Sequence, residues 1–513
     1  MLVGMRRYGG IGILLVCGAA ALVYESRRTG LTVDETAHFA TAYTWWLGED
    51  VLQPADAPPL TRMICGWVPR LLHAPSPHDT AGWKDRDAYV IGAEILDRTD
   101  IRARRLLFYT RLPFLAFPLL IVWLLWLWGR QLFGEAIGLY LAVCGVLEPT
   151  MAGHGVLIDS DVPAAFGALW FGYAAWRYWN SPDWRRVALL TAATMVAVLT
   201  KFTLLPLAIV AIGLVLVRGP RAGAMVLPAA VYAAIVAASQ FQVWPAQFVH
   251  GLEYVSGSLR GKGFTGYLWG HQIEGWVPLY FPLCWAIKFP IPLQVLTVAG
   301  AVAALGGWTR KSGATVMFVW APAVFFFGTA TASNYHIGFR HVLPAVPFFI
   351  LGGGFALARW KNRAIPSILV VWLAASALHA YPHGIAYFNE WIGGPSQGWR
   401  YLADSNIDWG QGLPELGTYV QRHRIARIRT FLFGYDNPFF YLKPGSMDPQ
   451  PLPSPGESTL PRRYLPGPGT YAVSVNFLTG YLCPPGYEDY LANFRGRRPD
   501  GSAGYSILIY EWK

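Results

Sequence analysis

The sequence predicts a multispanning α-helical membrane protein with a small C-terminal α/β domain on the outer side. Three observations predict it. Only 14% of the 513 residues are charged and 54% are hydrophobic, against roughly 25% charged in soluble domains. The chain holds 23 Trp, a residue that collects at membrane–water interfaces. The basic residues fall in short clusters between apolar runs, so the net charge of +11 reads as topology rather than as a nucleic-acid surface.

About eleven apolar segments qualify as spans: 8–23, 112–128, 137–149, 162–179, 187–200, 204–217, 224–243, 279–305, 315–331, 342–357 and 365–381. Several are shorter than the roughly 20 residues that cross hydrocarbon. Those around Asp161 and Lys201 read as broken or tilted segments lining a cavity. The first follows Arg6 and Arg7 and carries small residues at 18–21, like a signal peptide. An acidic stretch follows it directly, which favours an uncleaved span.

With a cytoplasmic N-terminus, the inner turns carry Arg130, Arg177, Arg185, Arg186, Arg218, Arg221, Arg310, Lys311, Arg359, Lys361 and Arg363, opposed by Glu135 and Asp183. An odd span count then places 24–111, 244–278, 332–341 and the tail from 382 outside. The membrane unit is 1–381, including the outer loop 24–111; the outer domain is 382–513. In the tail, 411–422 suits a helix beginning near Pro414 and 427–433, 470–477 and 505–512 read as strands. The Pro/Gly-rich run 443–469 reads as a loop.

The five cysteines form no CxxC, and Cys17, Cys144 and Cys284 fall in apolar spans. This excludes a metal or disulfide framework by spacing and leaves a Cys65–Cys483 pair open.

Chemistry concentrates in the first outer loop, where Asp34, Glu35, His38, Glu49, Asp50 and Asp56 draw on only 30 acids in the whole chain. Carboxylates beside a membrane are costly to keep unless they act there. The competing reading is helix capping by Thr32 or Asp34. A second acidic stretch, Glu148 through His154 to Asp159-Ser-Asp161, lies on the same predicted side. Pro163 favours a helix starting near Asp161, whose positive end would stabilise that carboxylate. Asp159-Ser-Asp161 is also a DxD, which can bind a divalent ion holding phosphate oxygens, although a lone DxD is more often a cap.

The outer-side cations are Lys201 in Thr-Lys-Phe-Thr, Arg111, His271 and Lys288 around an aromatic loop, and Arg340-His341. Singly, each reads equally well as snorkelling. Together they oppose the positive-inside trend and point to an anion site for a lipid phosphate head group. An acid among such cations suits one reaction in particular. A carboxylate takes the proton of an acceptor hydroxyl, whose oxygen attacks a sugar carbon while the cations stabilise the departing phosphate. No Gly-rich nucleotide loop is present, consistent with a lipid-linked donor.

The ordered motifs Asp-Glu-x-x-His (34–38), Ala-Pro-Pro-Leu (57–60), Ala-Gly-His-Gly with Asp-Ser-Asp (152–161), Thr-Lys-Phe-Thr (200–203) and Ile-Gly-Phe-Arg-His-Val-Leu-Pro (337–344) resemble the GT-C membrane glycosyltransferases. The branch they are most similar to comprises the protein O-mannosyltransferases and aminoarabinose transferases. The runs 387–395 and 399–411 are similar to a bacterial subgroup with a C-terminal outer domain, and the resemblance reaches about residue 415.

It implies inverting transfer from a polyprenyl-phosphate sugar to a protein, lipid or glycan acceptor, at the outer face of a bacterial inner membrane. It implies Asp34 as base with Glu35 beside it, and Asp161 as the second acid. Lys201, Arg340, His341, Arg111 and His271 would contact donor phosphate or sugar, with His38, His154 and Asp159 lining the substrate. Relatives often carry His or Lys where Ala57 stands, so Arg62 or Arg111 would substitute there.

Asp404-x-Asn406-x-Asp408 with Glu415 mimics a calcium loop, but Trp409 stands where the turn needs Gly. It reads instead as a structured corner facing the acceptor. The rival class is a transporter or flippase for a lipid-linked or anionic solute, with Asp161 and Lys201 marking its path.

Overall fold

The computed structural model describes residues 2–49, 58–97, 101–219, 223–240, 245–260, 265–307, 309, 312–454 and 459–513. Asp50, Asp56, Ala57, Arg221, Arg310 and Lys311 lie outside the described residues.

Each of the expected apolar segments is mainly helical over its described residues. Among the described residues, four helices are long and apolar enough to cross a membrane: Gly9–Arg28, Ala103–Phe133, Gly313–Thr331 and Phe339–Arg359. Two bent pairs raise the count to six. Glu135–Val146 and Pro149–Gly155 meet at 60°, and Tyr280–Lys288 and Ile291–Gly306 at 116°. Proline explains both breaks, because Pro149, Pro290 and Pro292 lack the N–H that would continue the preceding helix. The expected span 279–305 is therefore two helices meeting at a sharp corner. Phe202–Arg218, Met225–Ala238 and Ala364–Ala380 are shorter apolar helices. Asp161–Asn180 and Trp184–Thr200 pack against each other as an inner pair.

The described residues between the first two apolar helices fold onto this bundle as short helices, chiefly Val33–Trp46, Leu60–Cys65 and Ala88–Leu96. Gly92 allows the last of these to lie against the first, since a Cβ there would stand 1.9 Å from the Thr36 carbonyl oxygen. That contact fixes the helix turn that carries Asp34.

A hairpin of β1 (Gly266–Leu268) and β2 (His271–Ile273) follows. The tail forms one mixed sheet from β3 (Ile428–Phe431), β4 (Met447–Pro449), β5 (Gly469–Ser474), β6 (Gly501–Ala503) and β7 (Ile507–Trp512), in the order β4-β3-β5-β7-β6. β3 runs parallel to β4 and β5, whereas β7 is antiparallel to β5 and β6. The expected loop 443–469 thus contributes β4, an edge strand, where Pro449 costs the sheet no central hydrogen bond.

Helix Leu413–Arg422 buries Leu413, Leu416, Gly417 and Val420, the stripe of an amphipathic helix. It packs with Ile428, Ala472, Ile507 and Ile509 on one sheet face. Tyr471, Val473, Leu508 and Tyr510 point the other way and join the core that runs on into the membrane helices. All five cysteines are free, Cys65 and Cys483 included.

Candidate active site

Helix Val33–Trp46 starts on Thr32, whose backbone N–H and hydroxyl both donate to Glu35 Oε2 at 3.0 Å. The Arg111 Nε donates to Glu35 Oε1 at 2.7 Å and its Nη2 to Oε2 at 2.5 Å. The Ile158 N–H adds a bond to Oε1 at 3.0 Å. The remaining Arg111 donors reach the carbonyls of Ser26, Thr29 and Gly30 at 2.7–3.0 Å. Both side chains are 1% exposed. Glu35 and Arg111 are therefore the buried clasp that ties helix Gly9–Arg28, the start of helix Val33–Trp46 and helix Ala103–Phe133 together. Neither lines the cavity that Asp34 faces, and the oxygens of Glu35 and the N–H groups of Arg111 are taken up by this clasp.

One residue earlier the geometry reverses. Asp34 faces a cavity of about 350 Å³ lined also by His38, Asp159, Asp161, Lys201, Arg340 and His341, within the usual range of roughly 300–1,000 Å³ for ligand sites. Asp161 opens helix Asp161–Asn180, and its carboxylate accepts a hydrogen bond from the Lys201 ammonium. Lys201 is the extended residue closing helix Trp184–Thr200, so a cation stands at the negative end of that helix and an anion at the positive end of the helix before it.

Arg340 enters from the turn Phe339–Ala345, ahead of helix Val346–Arg359. Its Nη1 lies 2.9 Å from Asp34 Oδ2 and 3.7 Å from Asp161 Oδ2. Four segments that span counting places on one side thus meet in one chamber.

Several buried polar atoms here make no hydrogen bond among the described residues: Asp159 Oδ2, Asp161 Oδ2, Arg340 Nε, His341 Nε2 and His154 Nδ1. Leaving such groups unpartnered costs about 1–3 kcal/mol each, which marks a site shaped for a polar ligand. Burial, and the neighbouring Asp161, push the Asp159 carboxyl well above the ordinary carboxylate range. His38 Nε2 is 3.7 Å from Asp159 Oδ1.

His154, Asp159 and Asp161 bring ligand atoms within 4.8 Å of one another and are the residues that could hold a divalent ion. Lys201 and Arg340 already supply positive charge at Asp161.

The remaining predicted residues go elsewhere. His154 is buried behind the chamber, its ring 5.6 Å from that of Trp409. His271 is exposed on β2 and does not line the cavity. Lys288 is fully buried and donates to the carbonyl of Ile385 at 2.9 Å and to that of Asn406. Arg62 is buried in helix Leu60–Cys65, away from the lining.

Residue-type reasoning missed the aromatic wall of Tyr89, Tyr254, Tyr335, Phe202 and Phe326. It also missed Trp409, whose ring lies 4.3 Å from the Arg340 guanidinium. The signal for Trp409 was its place in the Asp404–Gln411 run, where a calcium loop would need Gly.

Fold and site define a polytopic helical protein with a paired-carboxylate, two-cation chamber. Residues 103–244 match the family described as dolichyl-phosphate-mannose-protein mannosyltransferase. The match supports the resemblance to the GT-C membrane glycosyltransferases, and it covers Asp159, Asp161 and Lys201 but not Asp34 or Arg340.

Among solved structures, ArnT from Cupriavidus metallidurans bound to undecaprenyl phosphate is 13% identical, over 98% of this chain and 98% of that one, with a TM-score of 0.48. The archaeal oligosaccharyltransferase AglB from Archaeoglobus fulgidus, in complex with an inhibitory peptide and a dolichol-phosphate, is 12% identical. That match spans 85% of this chain and 65% of that one, with a TM-score of 0.45. No curated protein matches this chain in sequence.

Proposed function

We propose that this protein transfers a sugar, with inversion, from a polyprenyl-phosphate carrier to an acceptor hydroxyl at the extracytoplasmic face of the membrane. The observation that carries the reading is Arg340 between Asp34 and Asp161, with Lys201 on the other oxygen of Asp161. A carboxylate that opens on a cavity and two cations beside it are the groups such a displacement needs. The family match over residues 103–244 supports the same chemistry.

In the reaction, the acceptor oxygen bonds to the anomeric carbon as that carbon's bond to the phosphate oxygen breaks. The acceptor proton passes to the Asp34 carboxylate. The negative charge gathering on the leaving polyprenyl phosphate is met by Lys201 and Arg340. Asp161 holds those two cations in place, and the aromatic wall keeps water from the sugar carbon. The positive charge needed at the phosphate is thus supplied by side chains.

The test is transfer by the purified protein in detergent, with a polyprenyl-phosphate sugar and a hydroxyl acceptor. Asp34→Asn should lower the rate by about 10²-fold or more, while the asparagine oxygen still accepts from Arg340 and preserves the fold. A full wild-type rate in that variant overturns the assignment of the base. A wild-type protein that moves the lipid across vesicles and forms no glycoside is a transporter.

A further inference from the structure

The corner Asp404–Gln411, far down the chain from the membrane helices, meets the loop that delivers Arg340. Asn406 Oδ1 accepts from the Phe339 N–H at 2.9 Å, and the Ser405 hydroxyl donates to the Ile337 carbonyl. Gly338 lies between these anchors at φ +156°, where L side chains rarely go, and a Cβ there would stand 2.4 Å from Ser405 Oγ. The Trp409 ring covers the Arg340 guanidinium at 4.3 Å.

The corner is held in turn by the outer domain. The Asn476 amide donates to the Asp408 carbonyl at 2.8 Å, and its oxygen accepts from the Asp404 N–H at 2.8 Å. The Tyr481 hydroxyl donates to Asp404 Oδ2 at 2.5 Å. On the membrane side, Lys288 grips the Asn406 carbonyl and the Asn406 amide donates to the Tyr280 hydroxyl at 3.0 Å. Asn406 and Asn476 are each 1% exposed or less, so these are interior contacts.

We propose that this corner is a positioning device for Arg340, with Trp409 and Asn406 as its positioning residues, so that the outer domain sets the geometry of the phosphate-facing cation. The catalytic part of this proposal rests on the function argued above. Trp409 touches the guanidinium face and leaves its edge to Asp34 and Asp161, which defines the plane in which the fork lies. Asn406 and Ser405 fix the peptide units on either side of Gly338, two residues before Arg340, which sets the path of the chain into that residue. An arginine on an otherwise mobile turn would sample many rotamers; clamped at face and backbone, it meets the phosphate in one.

The experiment pairs two readouts on the full-length protein in detergent. The first is hydrogen exchange over 334–345 in the wild type, Trp409→Leu, Trp409→Phe and Asn406→Ala. The second is kcat and KM for the lipid-linked donor in the same variants, alone and combined with Arg340→Lys.

Faster exchange in that segment is expected for Trp409→Leu and Asn406→Ala. Their kcat/KM should fall about 10- to 100-fold, with Trp409→Phe recovering most of the loss. Adding Trp409→Leu to Arg340→Lys should cost almost nothing further. Unchanged exchange, or losses that multiply in the double variant, overturns the positioning role. If exchange rises as expected but the wild type forms no glycoside, the clamp stands and the proposed reaction falls. Should Trp409→Leu fail to fold, Asn406→Ala, alone and combined with Arg340→Lys, carries the same comparison.

Discussion

Arg340 Nη1 stands 2.9 Å from Asp34 and 3.7 Å from Asp161, one nitrogen serving carboxylates from two distant parts of the chain. The guanidinium can do this because it is flat, fixed in protonation and stacked on Trp409. A lysine places one point charge and cannot keep both the fork and the ring contact. Arg340→Lys should therefore reduce kcat/KM by about 10²-fold and Arg340→Ala by about 10³-fold. Initial rates against donor concentration measure this, and near-wild-type melting of the lysine variant confirms that the site alone has changed.

The adjacent acid predicts the opposite kind of phenotype. Glu35 and Arg111 are each 1% exposed and fully hydrogen-bonded. Removing one member of a buried pair leaves the other uncompensated, at a cost of about 3–5 kcal/mol. Glu35→Gln and Arg111→Met should lower the melting temperature and the yield of monodisperse protein. Protein that survives should retain measurable transfer. A stable but inactive Glu35→Gln would return Glu35 to the catalytic set.

That contrast shows how far the sequence could be read. Asp34 and Glu35 are neighbours with the same charge, and pattern alone gave both to the site. The helix turn that points one into the cavity and the other at Arg111 becomes visible only with the second span in place. Asp161 and Lys201 were legible because each marks a helix end within an apolar run, a place where charge is conspicuous. The helical segments were legible from hydropathy, but the 116° corner after Lys288 was not, since an apolar run has no direction of its own. The edge strand at Met447–Pro449 was hidden by its proline and the Pro/Gly-rich run around it. Trp409 was marked only by standing where a calcium loop needs Gly; among so many aromatic residues its role shows in its contact with Arg340.

The corner carries a pH signature. Asp408 is buried, and that burial pushes its carboxyl up to about 7, opposed by the Gly410 and Asn476 N–H groups. In the unfolded chain the carboxyl titrates near 3.9. A folded value above the unfolded one means that the group's stabilising contribution is complete below about pH 4 and is lost as pH rises through about 7. Asp408→Asn keeps an acceptor for Gly410 and removes the titration. The wild type should lose thermal stability relative to Asp408→Asn between pH 5 and 8, as followed by melting curves in one detergent. Parallel curves would place the proton elsewhere.

Lys201 and Asp161 offer a separation of stability from activity. The lysine side chain is 18% exposed and the aspartate 1%, so the ammonium faces the cavity while its partner is interior. Lys201→Met leaves Asp161 with Arg340 alone, at 3.7 Å, and should both destabilise the protein and weaken donor binding. Asp161→Asn added to Lys201→Met removes the unpaired charge, so much of the lost melting temperature should return. Transfer should not return, because the phosphate has lost a cation. Its KM for the lipid donor should stay raised by about 10-fold or more, the mark of lost ground-state binding. Melting curves and donor titrations on the two variants measure the two halves. Recovery of both together would make Lys201 a partner of Asp161 and nothing more.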